Sequence, residues 1–141
     1  MSRVLAAVAA LLLVAPHAAL AGTRKAAPVS AYDRCMKGPT GVTAVGMQQC
    51  VADEIARRDA RLNRDYKAIL DQLDGADDKE AVRKAQRAWI AFRDADCASY
   101  VSDTWGSNSR LEGAQCVMER TGERADQLED FLEYHSMKKP K

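Results

Sequence analysis

A single apolar face runs along the sequence from Met47 to Leu73. Its members are separated by 3, 4 or 7 residues, the spacing that places side chains on one side of an α-helix. They are Met47, Val51, Ile55, Leu62, Tyr66, Ile69 and Leu73. Asp74-Gly75 follows directly, and glycine is typical of the left-handed position just after a helix. We therefore predict a long first helix that begins near Thr43 and ends at this turn.

Two more helices are predicted from capping patterns followed by apolar spacing. The pattern Asp77-x-x-Glu80 opens the second, with an apolar face made of Val82, Ala85, Trp89 and Phe92. The pattern Ser109-x-x-Glu112 opens the third, with inward residues Ala114, Val117, Met118, Ala125, Leu128 and Leu132. Because only a few residues connect the first two helices, we expect them to be antiparallel neighbours.

The predicted fold class is all-α: a small, disulfide-stapled antiparallel three-helix bundle with an N-terminal arm. The length of 141 residues leaves room for one domain, and 47% apolar residues favour a packed core over disorder. The expected organisation is a signal peptide at 1–21, an extended arm at 22–42, a helical domain at 43–137 and a basic tail at 138–141.

The first 21 residues have the pattern of a secretory signal peptide. Arg3 precedes an apolar run from Val4 to Val14, and Ala19-Leu20-Ala21 is a small-x-small cleavage site. We predict cleavage after Ala21 and export to a bacterial periplasm or beyond, with no stable membrane anchor after cleavage. The alternative is an uncleaved N-terminal anchor, although the apolar run is too short to span a bilayer.

Four cysteines follow the signal: Cys35, Cys50, Cys97 and Cys116. An even number in an exported chain predicts two disulfides. No Cys-x-x-Cys pair is present, so neither zinc binding nor a redox site is expected. The helix order gathers all four at the end of the bundle away from the first turn. Three pairings are open, and height along the helices favours Cys50–Cys97 with Cys35–Cys116.

One buried ion pair is predicted from the same counting. Arg58 interrupts the apolar face of the first helix, and Asp96 lies at a matching height on the second. An inward guanidinium needs a carboxylate partner, which predicts an Arg58–Asp96 pair. The alternative is that Arg58 extends along its own stem to solvent.

Charge and motif content exclude several function classes. Without residues 1–21 the chain has 20 basic and 20 acidic residues, and a net charge of zero argues against nucleic-acid binding. His135 is the one histidine after the signal, and no catalytic triad, zinc-binding or phosphate-loop motif occurs. We therefore predict no catalytic residues, no metal, no cofactor and no enzymatic activity, although a two-carboxylate hydrolase leaves no fixed sequence signature.

Two surfaces are candidates for binding a partner. The first, which we call the acidic ridge, follows the third helix at intervals of 7, 4, 3, 4 and 3 residues: Glu112, Glu119, Glu123, Asp126, Asp130 and Glu133. It is either a docking site for a cationic partner or an ordinary solvated face. The second is Trp105, in the loop before Gly106, which is either an interface anchor or a lid over the end of the core.

The run Ala85-Gln86-Arg87-Ala88-Trp89-Ile90-Ala91-Phe92-Arg93-Asp94-Ala95-Asp96-Cys97 resembles the family named for the lysozyme inhibitor LprI, through its N-terminal domain. Further matching parts, within roughly residues 35–132, are Gly46-Met47-x-x-Cys50, Leu62-Asn63-x-x-Tyr66, and Cys116 with Thr121-x-x-Arg124. The chain departs from the family's usual glycine pair before a serine, with Trp105-Gly106-Ser107 in that place.

The resemblance implies a small, exported, disulfide-bonded helical protein, and at least one member is associated with inhibition of lysozyme. The resemblance does not identify any inhibitory residue in this chain. Within the matching run we expect Trp89 and Phe92 to face the core and Arg93 and Asp94 to form a local ion pair. The resulting hypothesis is an exported binding protein that inhibits lysozyme or another cationic envelope enzyme by steric blockage. The alternative is a periplasmic structural or stress-related interaction protein.

Overall fold

The computed structural model describes residues 28–106 and 108–138, and all the regular secondary structure in this part of the chain is helical. Four α-helices follow one another: α1 (Ala31–Lys37), α2 (Ala44–Gln72), α3 (Ala76–Ala98) and α4 (Ser109–Lys138). Two 3-10 helices, Pro39–Val42 and Asp103–Trp105, precede α2 and α4. The all-α class and the three long helices are confirmed. The predicted signal peptide and most of the predicted tail lie outside the described residues.

The extended arm predicted for 22–42 is wrong in its described part, because α1 lies within it. The Ser30 hydroxyl begins this helix by accepting a hydrogen bond from the Asp33 backbone N–H at 2.9 Å. A helix of 7 residues is too short to show an apolar period, so the pattern of the sequence did not reveal it. The expected attachment through Cys35 is confirmed, since this residue is bonded to Cys50 of α2.

The chain reverses direction between α1 and α2, and this turn requires glycine at position 46. A Cβ atom built on Gly46 would overlap the carbonyl group of Thr40, which is a backbone clash that no side-chain movement relieves. Thr43 caps α2 by accepting the Gly46 N–H at 3.0 Å. The matching segment Gly46-Met47-x-x-Cys50 therefore has a structural role in this fold.

Two apolar clusters join α2 to α4. The cluster near the cysteines contains Val51, Leu111 and Met118, with Tyr32, Met47, Ile55 and Ala114 packed on it. The other contains Leu62, Ile69, Ala125 and Leu128, with Tyr66, Leu73, Val82, Trp89, Phe131 and Leu132 around it. Since α2 and α4 both contribute to each cluster, their contact forms the core; α1 packs on α2, and α3 packs on α4.

The relation between α2 and α3 differs from the predicted one. Although they are joined by a short turn, α2 and α3 have little backbone contact with each other, and each packs on α4 instead. Their turn also differs in detail: α2 ends at Gln72, and Gly75 has an ordinary φ of −73° where a left-handed glycine was expected. The predicted caps are absent too, since α3 has no side-chain cap and Ser109 is the first residue of α4.

The buried side of α3 is rotated from the predicted apolar face. Val82 and Trp89 pack as expected, but Phe92 is 55% exposed and Ala85 is also exposed. Gln86 and Cys97 are the buried residues of this helix. Apolar spacing pointed to the wrong side because α3 buries polar groups whose partners are on α4.

The two expected disulfides are confirmed, but the favoured pairing is wrong. The bonds join Cys35 to Cys50 and Cys97 to Cys116, with Cα–Cα distances of 5.7 and 5.4 Å. All four cysteines lie toward one end of the bundle, so their height does not discriminate between pairings. Each bond instead joins helices that are adjacent in sequence, α1 to α2 and α3 to α4.

The contrast between the two aromatic residues of α3 gives a first prediction. We expect Trp89→Ala to lower the free energy of unfolding by about 3 kcal/mol, because a packed indole is lost. Phe92→Ala removes a mostly exposed ring and should cost about 0.5 kcal/mol or less. Guanidinium unfolding of the oxidised protein measures both, and equal losses would contradict the orientation of α3.

Candidate functional site

The acidic ridge is exposed over its whole length on α4. Its centre is nevertheless partly neutralised within the molecule. Asp126 pairs with Arg61 of α2, and Glu123 pairs with Arg120 at 3.1 Å. Among the described residues, Glu119, Asp130 and Glu133 make no ion pair. The ridge is therefore an interrupted row of charge, with its free carboxylates at separate places along α4.

A groove of about 470 Å³ lies between the acidic ridge and α2. It is lined by Glu54, Arg57, Arg58, Arg61, Glu119, Gly122, Glu123 and Asp126. Its arginines have partners within the groove: the Nε atoms of Arg57 and Arg58 lie 2.8 and 2.9 Å from the carboxylate oxygens of Glu54. The groove is thus a network of charges that joins two helices, with no arginine left to bind an anion.

The predicted pair between Arg58 and Asp96 is wrong. Arg58 forms its ion pair with Glu54 and donates a hydrogen bond from Nη1 to the Met118 carbonyl at 3.1 Å. Asp96 accepts from Arg120 Nε at 3.0 Å. The reason is the arrangement of the helices: α2 faces α4, so the inward arginine of α2 meets α4 and not α3.

Gly122 makes room for this crossing of Arg58. A Cβ atom at Gly122 would lie 2.7 Å from Arg58 Nη1 and 3.2 Å from its Cδ. The Gly122 carbonyl also accepts from Arg61 Nη2 at 3.4 Å. The glycine that weakens helix propensity in the sequence therefore permits the polar contact between the two apolar clusters.

The carboxyl group of Glu54 is the titratable centre of this network. Burial alone would raise its pKa, but the hydrogen bonds and charges of Arg58 and Arg57 outweigh burial and hold the pKa below its usual range. The carboxylate form consequently stabilises the folded state, and protonation weakens the junction of α2 with α4.

The residues that carry the family resemblance on α3 build its contact with α4. Gln86 Oε1 accepts from Arg124 Nε at 3.1 Å. Trp89 has the guanidinium of Arg93 at 5.1 Å and that of Arg124 at 5.9 Å from its ring centroid. Burial lowers the pKa of Arg124. The expected Arg93–Asp94 pair is confirmed at 2.7 Å. These residues have partners inside the molecule and need none outside it.

Trp105 stands on a short turn that is fixed at several points. Its side chain is 62% exposed, which excludes a lid over the core. The hydroxyl of Ser102 accepts the Thr104 N–H at 3.2 Å, and the Ser102 carbonyl accepts from the Ser109 hydroxyl at 3.0 Å. Gly106 has a φ of +85°, the left-handed conformation in which a side chain is strained. The indole is thus presented to solvent by an anchored turn.

Other exposed apolar side chains lie at the same end of the bundle, where α2 and α4 begin and α3 ends. We call it the cysteine end; its described residues are 38–48, 99–106 and 108–112. Val42 and Val45 are each 78% exposed. A hollow of about 420 Å³ lies between the start of α2 and the Trp105 turn, lined by Gln48, Asp103, Gly106, Ser109 and Arg110. Sequence reasoning missed the two valines. The available signal was that Val42 lies before α2 and that Val45 lies outside the periodic apolar face of α2.

No cation site is evident in the described part of the chain. The one group of His, Cys, Asp and Glu side chains close enough to share a metal ion there is Asp96, Cys97 and Cys116. Both sulfur atoms of this group are in a disulfide and cannot serve as thiolate ligands.

Comparison with known proteins decides the relationship. The family model described as lysozyme inhibitor LprI matches residues 35–128, from the first cysteine into the second half of α4. The chain belongs to the LprI lysozyme inhibitor family. It is also 27% identical over 134 residues to an uncharacterised protein of Rhizobium meliloti, a match that covers 78% of this chain and 96% of the relative. No solved structure was found to match the chain.

Family membership and the two disulfides together indicate an extracytoplasmic protein. Among the helices of residues 28–106 and 108–138, none has an apolar stretch long enough to cross a bilayer.

The lowered pKa of Glu54 gives a pH-dependent prediction. A depressed folded-state pKa contributes stability that is complete above the unfolded value, near 4.5, and is lost as the pH falls below it. Glu54→Gln should therefore lower the free energy of unfolding by about 1 kcal/mol at pH 7, with the loss shrinking below pH 4.5.

Urea unfolding between pH 3 and 7 measures this loss. Glu129→Gln is the matched control, since Glu129 is an exposed carboxylate without an ion pair among the described residues. A Glu54→Gln loss that is constant with pH would contradict the assigned network.

Proposed function

We propose that this protein is an exported, non-catalytic binding protein that inhibits a lysozyme by sterically blocking its substrate cleft. The match of residues 35–128 to the LprI family carries this proposal. That range includes all four cysteines and the Trp105 turn, so the part of the chain that resembles the family is the part that holds the candidate contact surface.

Export would bring the protein to the place where lysozymes act. The signal peptide proposed for residues 1–21 would direct the chain out of the cytoplasm, with cleavage after Ala21. The two disulfides are stable in that oxidising environment. Peptidoglycan, the substrate of lysozyme, lies in the same compartment.

We assign the contact to the Trp105 turn in preference to the acidic ridge. Two of the central carboxylates of the ridge have partners within the chain, and the net charge after cleavage is zero, which gives little electrostatic steering toward a basic enzyme. Trp105 is exposed on an anchored turn, and tryptophan is among the residues that contribute most to protein interfaces. A preordered turn also loses little conformational entropy on binding.

A second candidate is an envelope structural or stress-related interaction protein that never meets lysozyme. One observation favours it: Gln86, Trp89 and Arg93 have partners within the bundle. The matching run therefore accounts for the fold without requiring a shared target.

Lysis of labelled peptidoglycan tests the proposal. Animal-type and bacterial lysozymes are assayed with the oxidised chain 22–141, and with a reduced, alkylated sample as control. We expect inhibition that increases with dose and is lost on reduction. Trp105→Ser should weaken inhibition by about tenfold or more. Phe92→Ser, at an exposed aromatic residue on α3, should leave inhibition unchanged.

Salt dependence and charge-reversal variants distinguish inhibition through the acidic ridge from inhibition through the Trp105 turn. Inhibition through the acidic ridge would weaken steeply between low and physiological ionic strength and would be lost in Glu119→Lys and Asp130→Lys variants. Inhibition through the Trp105 turn should be unchanged in both variants, and it should weaken far less with salt because this surface is not a row of like charges. Absence of inhibition at a large molar excess of the wild-type chain would contradict the proposed function and favour the second candidate.

A further inference from the structure

Arg110 is the one arginine of the described chain without a partner. The other arginines each make an ion pair or hydrogen bond: Arg34, Arg57, Arg58, Arg61, Arg64, Arg83, Arg87, Arg93, Arg120 and Arg124. Arg110 is exposed and lines the hollow at the cysteine end, beside Gly106. Its guanidinium is therefore available to a group outside the molecule.

The position of Arg110 is also electrostatically unfavourable. It lies in the first turn of α4, where the partial positive charge of the helix N-terminus disfavours a cation. Glu112 lies in the same turn, but it accepts from Asn108 Nδ2 at 3.2 Å and forms no ion pair with Arg110. An electrostatically unfavourable position that no neighbouring ion pair offsets is typical of a residue that functions in binding.

Arg110 and Trp105 lie close together in the sequence, on either side of Gly106, and both are exposed. The Ser109 hydroxyl fixes the start of α4 to the turn that carries Trp105, and the Cys97–Cys116 bond joins the helices on either side of that turn. Between them, a Cβ atom at Gly106 would meet nothing within 4 Å, so the surface there is open. A planar cation and an amphipathic aromatic ring thus face solvent from one anchored segment.

We propose that Arg110 binds the catalytic carboxylates of the target lysozyme, with Trp105 occupying a neighbouring sugar subsite. This inference rests on the proposed function and names the contact within it. Retaining glycosidases of the lysozyme type act through two carboxyl groups about 5 Å apart. A guanidinium is the side chain whose planar fork matches carboxylate oxygens. An indole face can stack on the apolar face of a sugar ring.

Asp103 provides a second test of the assignment of Arg110, because its charge has the opposite sign. It lines the same hollow, but it forms no ion pair with Arg110 in the described chain. Near an acidic cleft its charge would repel the carboxylates that Arg110 attracts. Asp103→Asn should therefore tighten binding, whereas Arg110→Gln should weaken it.

The test is a double-mutant cycle on the dissociation constant, measured by calorimetry at fixed salt. One axis is Arg110→Gln, and the other is a lysozyme whose catalytic glutamate is changed to glutamine. We expect each change alone to weaken binding by about tenfold or more, and the pair together to weaken it no further. Lys84→Gln, at an exposed cation of α3 outside the cysteine end, is the control and should leave binding unchanged.

Competition with a trimer of N-acetylglucosamine adds a second readout. A ligand that fills the cleft should displace the wild-type chain if Arg110 and Trp105 enter it. Thermal unfolding of Arg110→Gln, which we expect to match that of the wild-type chain, checks that this variant is folded.

The outcomes separate the two proposals. If the wild-type chain binds no lysozyme, the proposed function fails and this inference fails with it. If the wild-type chain binds and inhibits, but Arg110→Gln does so equally or the two losses add, the proposed function stands and the assignment of Arg110 is wrong.

Discussion

The packing of α4 on α2 is the contact on which the other parts of the structure depend. Two apolar clusters lie along it, and the crossing of Arg58 over the backbone at Gly122 separates them. This crossing requires that α4 approach closely, which the missing Cβ of Gly122 allows. Because α3 also packs on α4, and not mainly on α2, its place in the bundle depends on α4 as well.

The disulfides act locally at one end of this arrangement. They close segments of 15 and 19 residues, and the loss of chain entropy in the unfolded state gives each about 3 kcal/mol of stability. One ties α1 to the start of α2, and the other ties the end of α3 to the start of α4. The consequence is that the two short segments bearing Val42 and Trp105 are held on the same end of the bundle.

Much of the fold could be predicted from the sequence. The periodic face from Met47 to Leu73 gave a helix whose structure agrees closely, and the even cysteine number gave two disulfides. The cysteine pairing could not be obtained, since it depends on which helix α2 faces. The rotation of α3 was missed because Gln86, a polar residue, is buried through a partner 38 positions away.

The candidate site, like the fold, could be predicted from the sequence only in part. Trp105 and the acidic ridge could be found from local composition, but the neutralisation of Asp126 depends on Arg61 of another helix. Arg110 was overlooked because the absence of a partner is a property of the folded surface and has no sequence pattern.

We propose that the cysteine end binds lysozyme, whereas the α3–α4 contact maintains the fold. Hydrogen–deuterium exchange of the oxidised chain, with and without saturating lysozyme, tests this most directly. We expect bound lysozyme to slow exchange in residues 38–48 and 99–112. Exchange in residues 119–133 should be unaffected. Protection confined to residues 119–133 would contradict binding at the cysteine end and assign it to the acidic ridge.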